Sequence, residues 1–315
     1  MAAQGAVLIT GANGFIGSHA TLLLESCGHR VVPSDVTPRS RELSLLPIKS
    51  KGQELDVTDT RAFGELCRKE KITHIFHAAY PRRDEEPEVL DFCLHAMRNI
   101  LEAAREMRLQ RVVFASSGAL YGQLRKKDHS LVREDDPVAI YPAYFYRSAK
   151  ILGEWLGDFY SQRHGVSFVA LRFSSVYGPG LARGIPLAIK EGILGRPCRP
   201  YLTRFPDDLI YVQDVAEAVR RACFSDRNLS RAYNIASGKP YSEKDLAAAM
   251  RKNLPEVSFE IGKHPRSATV GPHRDRDLLD ISLARQELGF VPKVDLNDGI
   301  AAIANWVRDN KERLA

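Results

Sequence analysis

The stretch AVLITGANGFIG, residues 6–17, decides the fold of this 315-residue chain. Its first five residues form an apolar run that is typical of a strand buried on both faces. Gly11 permits a tight turn, Gly14 lets the backbone approach a pyrophosphate, and Gly17 lets the next helix pack against the strand. The amino terminus of that helix directs unpaired N–H groups at a phosphate. Strand, glycine turn and helix in this order predict a dinucleotide-binding loop. We expect the loop to hold its cofactor through Gly11, Asn13, Gly14, Phe15, Ile16 and Gly17.

Short apolar runs alternate with helical patterns through the first half of the chain. Continuous apolar strands separated by helices predict a parallel sheet that is covered on both faces. The fold class is therefore α/β, a Rossmann-like doubly wound parallel sheet. Strands are predicted at Ala6–Thr10, Arg30–Ser34, Gln53–Asp56, Thr73–Ala78, Arg111–Ser116 and Ser167–Phe173. Helices are predicted at Ile16–Cys27, Val89–Met107 and Tyr144–Arg163.

The alternation loosens after about Tyr177, where Pro and Gly become frequent. We interpret this part as a smaller mixed α/β lobe that binds the substrate. The predicted division is residues 1–176 for the cofactor domain and 177–315 for the substrate lobe, with the chain crossing between them. Helices are predicted in the second part at Ile185–Gly195, Val212–Phe224, Ser242–Leu254, Ser282–Leu288 and Leu296–Arg308.

Composition excludes several classes of protein. The chain is 44% hydrophobic and 27% charged with a formal net charge of +6, which is ordinary for a globular protein. Its basic residues are scattered, so no nucleic-acid surface is predicted. No apolar run is long enough to span a membrane. The five cysteines are odd in number and not closely spaced, so we expect no metal site and no disulfide framework. Reduced thiols, and an N-terminus without a signal-peptide pattern, favour the cytoplasm.

Acidic residues at the ends of the second and third predicted strands bear on the choice of cofactor. Asp35 lies 18 residues after Gly17, where a carboxylate accepts hydrogen bonds from the adenosine ribose and repels a 2′-phosphate. This favours NAD over NADP. Arg39 and Arg41 would favour NADP if their loop folded back onto the phosphate. Asp56 either contacts the adenine amino group or is an acid at a helix start.

A tyrosine and a lysine form the predicted catalytic pair. Tyr146 and Lys150 are spaced i, i+4, which places them on one helix face. A nearby ammonium stabilises a phenolate, so the pair suits proton transfer to and from a hydroxyl group. Ser117 follows the fifth strand, at the sheet edge that faces the ligand in parallel sheets. The sequence therefore predicts hydride transfer at a hydroxyl-bearing carbon.

An ordered set of motifs resembles a known family over nearly the whole chain. Taken together, these motifs are similar to those of the extended short-chain dehydrogenase/reductase family, in its NAD-dependent epimerase/dehydratase group. They are TGANGFIG (10–17), HAA (77–79), SSGALYG (116–122), YRSAK (146–150), LRFSSVYGPG (171–180), DLIYVQDVAEAV (208–219), YNIASG (233–238) and LDISLARQELGF (279–290).

The resemblance implies roles for particular residues. Ser117, Tyr146 and Lys150 match the catalytic residues, and the lysine would also bind the nicotinamide ribose. Ala78 and Ala79 would line the cofactor. Members often form homodimers through the two long helices, predicted here at residues 89–107 and 144–163.

Residues after Ser117 narrow the reaction type. Similar dehydratases carry Asp-Glu there and related decarboxylases carry Glu, whereas this chain has Gly118, Ala119 and Leu120. Epimerisation and plain dehydrogenation remain open. A non-catalytic NAD-binding regulatory protein is a third possibility, but such a protein needs the glycines and not the catalytic residues.

Two positions favour a free sugar, sugar acid or polyol over a nucleotide sugar. Ser175 stands where nucleotide-sugar enzymes carry an Asn, and Asp207 stands where they carry an Arg that neutralises pyrophosphate. A nucleotide-sugar epimerase that holds its NAD tightly is the alternative. For that alternative, Arg204, Arg274 or Arg276 would supply the missing positive charge, and the arginines that could bind a carboxylate or phosphate of the substrate also include Arg82 and Arg83. For Arg82 and Arg83, a solvated loop is an equal alternative.

Overall fold

The computed structural model describes residues 5–81, 86–122, 124–138, 145–202, 206–262 and 276–315. Its strands, β1 to β9 in chain order, are Ala6–Thr10, Val31–Asp35, Gln53–Glu54, Ile72–His77, Arg111–Ser117, Phe168–Phe173, Val176–Tyr177, Ile210–Tyr211 and Ala232–Ile235. Its helices, α1 to α10, are Phe15–Ser26, Thr60–Lys69, Glu88–Met107, Phe145–His164, Gly184–Ile193, Val212–Phe224, Glu243–Asn253, Ser282–Leu288, Leu296–Asp309 and Lys311–Leu314.

Seven of the described strands form one parallel sheet in the order β3-β2-β1-β4-β5-β6-β9. The chain runs outward from β1 to β3 and then returns to β4 on the other side of β1. This reversal opens a crevice at the carboxyl ends of β1 and β4, where doubly wound sheets bind ligands. The predicted Rossmann-like fold class is confirmed.

Helices cover both faces of the sheet, as the continuous apolar strands require. On one face, Leu24 of α1 and Val215 of α6 pack against the sheet. On the other, Phe63 of α2 and Ile100 of α3 do so, together with α4. Helix α4 lies very close to the sheet, because a Cβ at Gly157 would come within 2.3 Å of the Phe168 ring. Tyr146 and Lys150 both belong to this closely packed helix.

The second half of the chain contributes to both parts of the molecule. Strand β9 completes the sheet and α6 packs on its face, whereas α5, α7 and α9 form a separate core with β7 and β8. The chain therefore returns to the sheet after residue 177. The division at residue 176 into a cofactor domain and a substrate lobe stays a prediction.

Most helix and strand boundaries lie within two residues of those predicted. Sequence periodicity did not predict α2, α10 or the short strands β7 to β9. Strands β7 and β8 have two residues each, too few side chains to show a period, and β9 has four. In the part of the chain described above, no helix has the length and apolarity needed to cross a bilayer. All five cysteines are free thiols.

Candidate active site

The glycine turn after β1 needs glycine for steric reasons. Gly11 has a φ of +72°, and a Cβ there would lie 2.5 Å from the backbone nitrogen of Ala79. A Cβ at Gly17 would lie 2.2 Å from the Gly11 carbonyl oxygen. The Ala78 N–H donates to the Thr10 carbonyl at 3.0 Å. Gly11 thus lies directly against the predicted cofactor-lining residues Ala78 and Ala79.

Helix α1 begins without a side-chain cap. Its N-cap residue is Gly14, no side chain in the described structure accepts from its first N–H groups, and no acid lies in its first turn. By contrast, α2, α7 and α9 are capped by the side chains of Asp59, Ser242 and Asp295. An uncapped helix start behind a glycine turn suits an anion such as a pyrophosphate.

The side chains of the first helical turn pack inside the protein. The Phe15 ring meets the His19 ring edge-on at a centroid distance of 5.2 Å, and Ile16 packs against the core of the sheet. His19 Nε2 lies 2.9 Å from the Pro179 carbonyl oxygen, which fixes α1 against the loop after β7. Phe15 and Ile16 can therefore contribute to cofactor binding mainly through their backbone N–H groups.

Asp35 is tied to the glycine loop. Its carboxylate accepts hydrogen bonds from the backbone N–H of Asn13 at 3.0 Å and from the N–H and hydroxyl of Thr37, both at 3.0 Å. The side chain of Asn13 donates to the Thr37 carbonyl at 2.6 Å. This places Asp35 and Asn13 together at the carboxyl end of β2, as predicted for a ribose-binding acid.

The two arginines after Asp35 differ in their surroundings. Burial lowers the pKa of Arg39, and attraction to Glu25 and Asp35 partly opposes this; its buried Nε has no hydrogen-bond partner among the described residues. Arg41 donates to the carbonyl of Ala315 at 3.2 Å and so extends toward the C-terminus. Of the two, Arg39 is the arginine whose guanidinium is attracted to the Asp35 carboxylate.

Asp56 is exposed in the turn that precedes α2. Its carboxylate accepts from the N–H of Thr58 at 2.8 Å and from the Thr58 hydroxyl at 2.7 Å. The N-cap of α2 is Asp59, not Asp56. Asp56 therefore stabilises a turn, and its contact with adenine stays a prediction.

The structure brings the predicted catalytic pair together. Lys150 is buried, and its Nζ donates to the Ala115 carbonyl at 2.7 Å. The same Nζ lies 5.4 Å from the centroid of the Tyr146 ring and 5.2 Å from that of Tyr80. The rings of Tyr80 and Tyr146 meet edge-on at 5.0 Å. A cation thus lies beside the tyrosine that would exchange the proton.

Burial controls the ionisation of two groups at this site. It lowers the pKa of Lys150 to about 8, and the nearby Cys93 and Glu154 partly oppose the shift. Lys150 therefore remains mainly protonated at neutral pH. Burial also lowers the pKa of His77 to about 3, so this histidine is neutral beside Lys150. Its Nδ1 lies 2.7 Å from the Thr10 hydroxyl, which links the ends of β1 and β4.

Ser117 ends β5, two residues after the carbonyl that Lys150 binds. Its hydroxyl accepts from the Ala119 N–H at 3.1 Å and caps a short 3₁₀ turn. Behind it, a Cβ at Gly118 would lie 3.1 Å from Arg276 Nη2. Ser117 therefore reaches the carboxyl edge of the sheet near the catalytic pair.

Arg276 is engaged by a buried acid. Its Nη1 lies 3.3 Å from a carboxylate oxygen of Asp208, and the two side chains are 1% and 0% exposed. The Leu279 N–H donates to the same oxygen at 3.0 Å. The other arginines considered for an acidic substrate lie outside the described residues; they are Arg82, Arg83, Arg204 and Arg274.

Sequence reasoning missed four residues around Lys150. Glu154 continues the i, i+4 spacing of Tyr146 and Lys150 and could have been found from it. Tyr80 directly follows the HAA motif. Cys93 and the Phe114 ring, 4.9 Å from Lys150 Nζ, come from other elements and leave no local signal.

Comparison with known proteins identifies the family. The sequence model of the NAD dependent epimerase/dehydratase family matches residues 7–236. The chain belongs to this family. It is an NAD-dependent enzyme, as its glycine loop and catalytic pair predict.

The similar proteins match the chain almost end to end. A putative UDP-glucose 4-epimerase of Methanocaldococcus jannaschii is 29% identical over 320 residues, covering 96% of this chain and 99% of that protein. An uncharacterized UDP-glucose epimerase of Bacillus subtilis is 30% identical over 321 residues, covering 93% and 95%. The crystal structure of a Thermus thermophilus UDP-glucose 4-epimerase in complex with NAD has a TM-score of 0.77 at 29% identity, covering 96% and 99%.

The position of Asp35 predicts a preference between cofactors. We expect NAD to bind about tenfold or more tightly than NADP, because a carboxylate at the ribose repels a 2′-phosphate. Asp35→Ser should reduce this difference in affinity between NAD and NADP. Without the Asp35 carboxylate, Arg39 is free to attract the 2′-phosphate of NADP. Titration of protein fluorescence with each cofactor measures both affinities.

Arg41→Gln is the matched control for this prediction and should leave both affinities unchanged. Equal affinities of the wild-type protein for NAD and NADP would show that Asp35 does not select the cofactor.

Proposed function

We propose that the enzyme transfers hydride between NAD and a hydroxyl-bearing carbon of a free sugar, sugar acid or polyol. The observation that carries this proposal is the Lys150 ammonium beside the Tyr146 ring, held there by the Ala115 carbonyl. A regulatory protein that only senses NAD has no need for a buried lysine next to a tyrosine. The proposal therefore favours a catalytic role.

The proposed mechanism gives each of three residues one task. The Ser117 hydroxyl holds the reacting oxygen of the substrate. Tyr146 takes the proton from the substrate hydroxyl during oxidation and returns it during reduction. Lys150 stabilises the phenolate with its positive charge, which its pKa of about 8 preserves at neutral pH. Bound NAD would supply the hydride acceptor for this oxidation, and NADH the hydride donor for the reverse reaction.

The proposed cofactor site joins the loop, the ribose acid and the catalytic helix. The pyrophosphate would lie against the uncapped start of α1, and the adenosine ribose against Asp35. Lys150 would bind the nicotinamide ribose with a proton that is not donated to Ala115. The residues proposed for this site are Gly11, Asn13, Gly14, Phe15, Ile16, Gly17, Asp35, Asp56, Ala78, Ala79, Tyr146 and Lys150.

Charge near the substrate lobe supports a substrate without a nucleotide. Arg276 is committed to Asp208, and Asp207 adds a further acid beside them. A pyrophosphate needs free cationic donors, which this cluster does not offer.

We also propose that residues 1–176 bind NAD and that residues 177–315 bind the substrate.

A nucleotide-sugar 4-epimerase is the second candidate. The names of the similar proteins from Methanocaldococcus jannaschii and Bacillus subtilis favour it. Such an enzyme keeps NADH bound and returns the hydride to the same substrate, whereas a dehydrogenase releases it.

Loss of the Tyr146 hydroxyl should strongly reduce turnover and leave the affinity for NAD unchanged. We expect Tyr146→Phe to bind NAD normally and to lose about 100-fold or more in turnover, because the proton then has no acceptor. Turnover within a few-fold of wild type would contradict the proposed role of Tyr146. Lys150→Met should lose both activity and NAD affinity.

Two measurements separate the candidate functions. We expect no micromolar binding of UDP or dTDP in calorimetric titration, and accumulation of free NADH with a screen of sugars, sugar acids and polyols. Micromolar UDP or dTDP binding, displaced by the corresponding sugar conjugate, would favour the epimerase instead. Retention of NADH on the protein, with no net oxidation or reduction of the substrate, would also favour the epimerase.

We also propose that two copies of the chain associate through an apolar face of α3 and α4. On α4 the proposed face consists of the half-buried Leu152 and of Trp155 and Phe159, which are 69% and 51% exposed, and on α3 Leu94 is 38% exposed. The α4 members are spaced i, i+3 and i+7, so they form one stripe. Large aromatic side chains on one stripe are costly to leave in water.

We also propose that the enzyme lies in the cytoplasm, because its cysteines are unpaired thiols.

Mutation of the stripe should separate the copies. We expect the wild-type protein to sediment at about twice 35.2 kDa, and Trp155→Glu to shift it to the monomer, because burying a carboxylate there is unfavourable. Val291→Glu is the control, since Val291 is 56% exposed after α8. A monomeric wild type, or a dimeric Trp155→Glu variant, would contradict this interface.

A further inference from the structure

Two side chains one turn apart on α4 form hydrogen bonds with consecutive residues of β5. Lys150 donates to the Ala115 carbonyl at 2.7 Å. Glu154 accepts a short hydrogen bond from the Ser116 hydroxyl through its Oε1. The next residue is Ser117. The two positions before the proposed substrate-binding serine are thus fixed to the helix that carries Tyr146.

Glu154 is itself held from the other side by an arginine. Arg172 donates through Nε to Oε1 of Glu154 at 3.0 Å and through Nη2 to Oε2 at 2.6 Å. Arg172 lies opposite Ser116 in the register of β5 and β6. Its Nη1 donates to the Tyr121 hydroxyl at 2.6 Å and to the Glu134 carbonyl at 2.9 Å. Both carboxylate oxygens of Glu154 are therefore hydrogen-bonded to Arg172.

Arg172 remains charged although it is largely buried. Burial alone would lower the pKa of Arg172, but its hydrogen bonds and attraction to Glu154 outweigh burial and raise it. The Glu154 carboxylate also opposes the effect of burial on Lys150 and raises the pKa of that lysine. One carboxylate therefore orients β5 and supports the charge of the lysine.

We propose that Glu154 is a positioning residue, which holds Ser117 and Lys150 in their working arrangement through Ser116 and Arg172. This inference rests on the proposed roles of Ser117, Tyr146 and Lys150. Glu154 itself acts through its neighbours rather than on the substrate.

Among the described groups around Lys150, Cys93 is the other one that could raise the pKa of the lysine, and it could do so only as a thiolate. Burial raises the pKa of Cys93 to about 11, so its thiol is neutral, and burial lowers the pKa of His77 to about 3, so its ring is neutral. The groups that face Lys150 are Cys93 from α3, His77 and Tyr80 at the end of β4, the Phe114 ring and the Ala115 carbonyl of β5, and Tyr146 and Glu154 of α4. Removal of the carboxylate should therefore favour the neutral form of Lys150.

The titration of Lys150 tests the inference without a known substrate. We expect nuclear magnetic resonance of protein labelled at the lysine Cε carbons, with Lys150→Met for assignment, to give a wild-type midpoint near pH 8. In Glu154→Gln the midpoint should fall by about 0.5 pH unit or more, because an attractive charge is lost. In Glu154→Asp, which keeps the charge, it should fall less.

Tyr121→Phe is the matched control. It removes the hydroxyl that accepts from Arg172 and donates to Asn234, whereas Arg172 keeps its bonds to Glu154 and to the Glu134 carbonyl, so a merely structural effect would appear here as well. The midpoint of Lys150 should stay at the wild-type value. An unshifted midpoint in Glu154→Gln, or an equal shift in Tyr121→Phe, would overturn the inference.

Ser116→Ala tests the positioning directly, including the case in which Glu154→Gln fails to fold. We expect hydrogen exchange of a peptide spanning residues 115–119 to be at least about threefold faster than in wild type, because the link from β5 to Glu154 is lost. Unchanged exchange would overturn the positioning role. An active Tyr146→Phe variant would instead refute the proposed mechanism and leave both of these measurements unaffected.

Discussion

The hydrogen bond from Lys150 to the Ala115 carbonyl is the contact on which the candidate site depends. It buries an ammonium group at the junction of α4 and β5, and such a group is tolerated only with a polar partner. Because α4 also lies within contact distance of β6 through Gly157, the helix cannot shift along the sheet without a clash. The position of Tyr146 relative to Ser117 follows from these two constraints.

The order of the strands explains why the glycine loop and the catalytic helix belong to one site. The order in which strands are added to the sheet reverses between β1 and β4. The loop after β1 and the segment after β4 therefore meet at Gly11 and Ala79. Strand β5 lies next to β4 and ends at Ser117 on the same edge. We propose that a dinucleotide lies across this edge from Asp35 at one end to Tyr146 at the other, an arrangement that would suit hydride transfer at a substrate held by the second half of the chain.

Local sequence was sufficient to predict the first six strands of the sheet, the glycine turn and the proximity of Tyr146 to Lys150, because each depends on close spacing along the chain. Gly11 needs a positive φ, and Tyr146 and Lys150 share a helix face whatever the rest of the protein does. The sequence could not predict β9 as the last strand of the sheet, or the Arg276–Asp208 pair, since both join segments far apart in the chain. Asp56 shows another limit of local sequence: its pattern fits an adenine contact and an acid at a helix start equally, but the helix is capped by Asp59, and the Asp56 carboxylate instead accepts from Thr58 in the preceding turn.

The most direct test of the account is a crystal structure of the full-length protein with NAD bound. We predict that the pyrophosphate lies on the backbone N–H groups at the start of α1, that the adenosine ribose contacts Asp35, and that Lys150 binds the nicotinamide ribose while it keeps the Ala115 carbonyl. The reactive face of the nicotinamide should then lie beside Tyr146. A nicotinamide ring bound away from Tyr146, or a Lys150 side chain turned away from both the ribose and Ala115, would contradict the proposed mechanism.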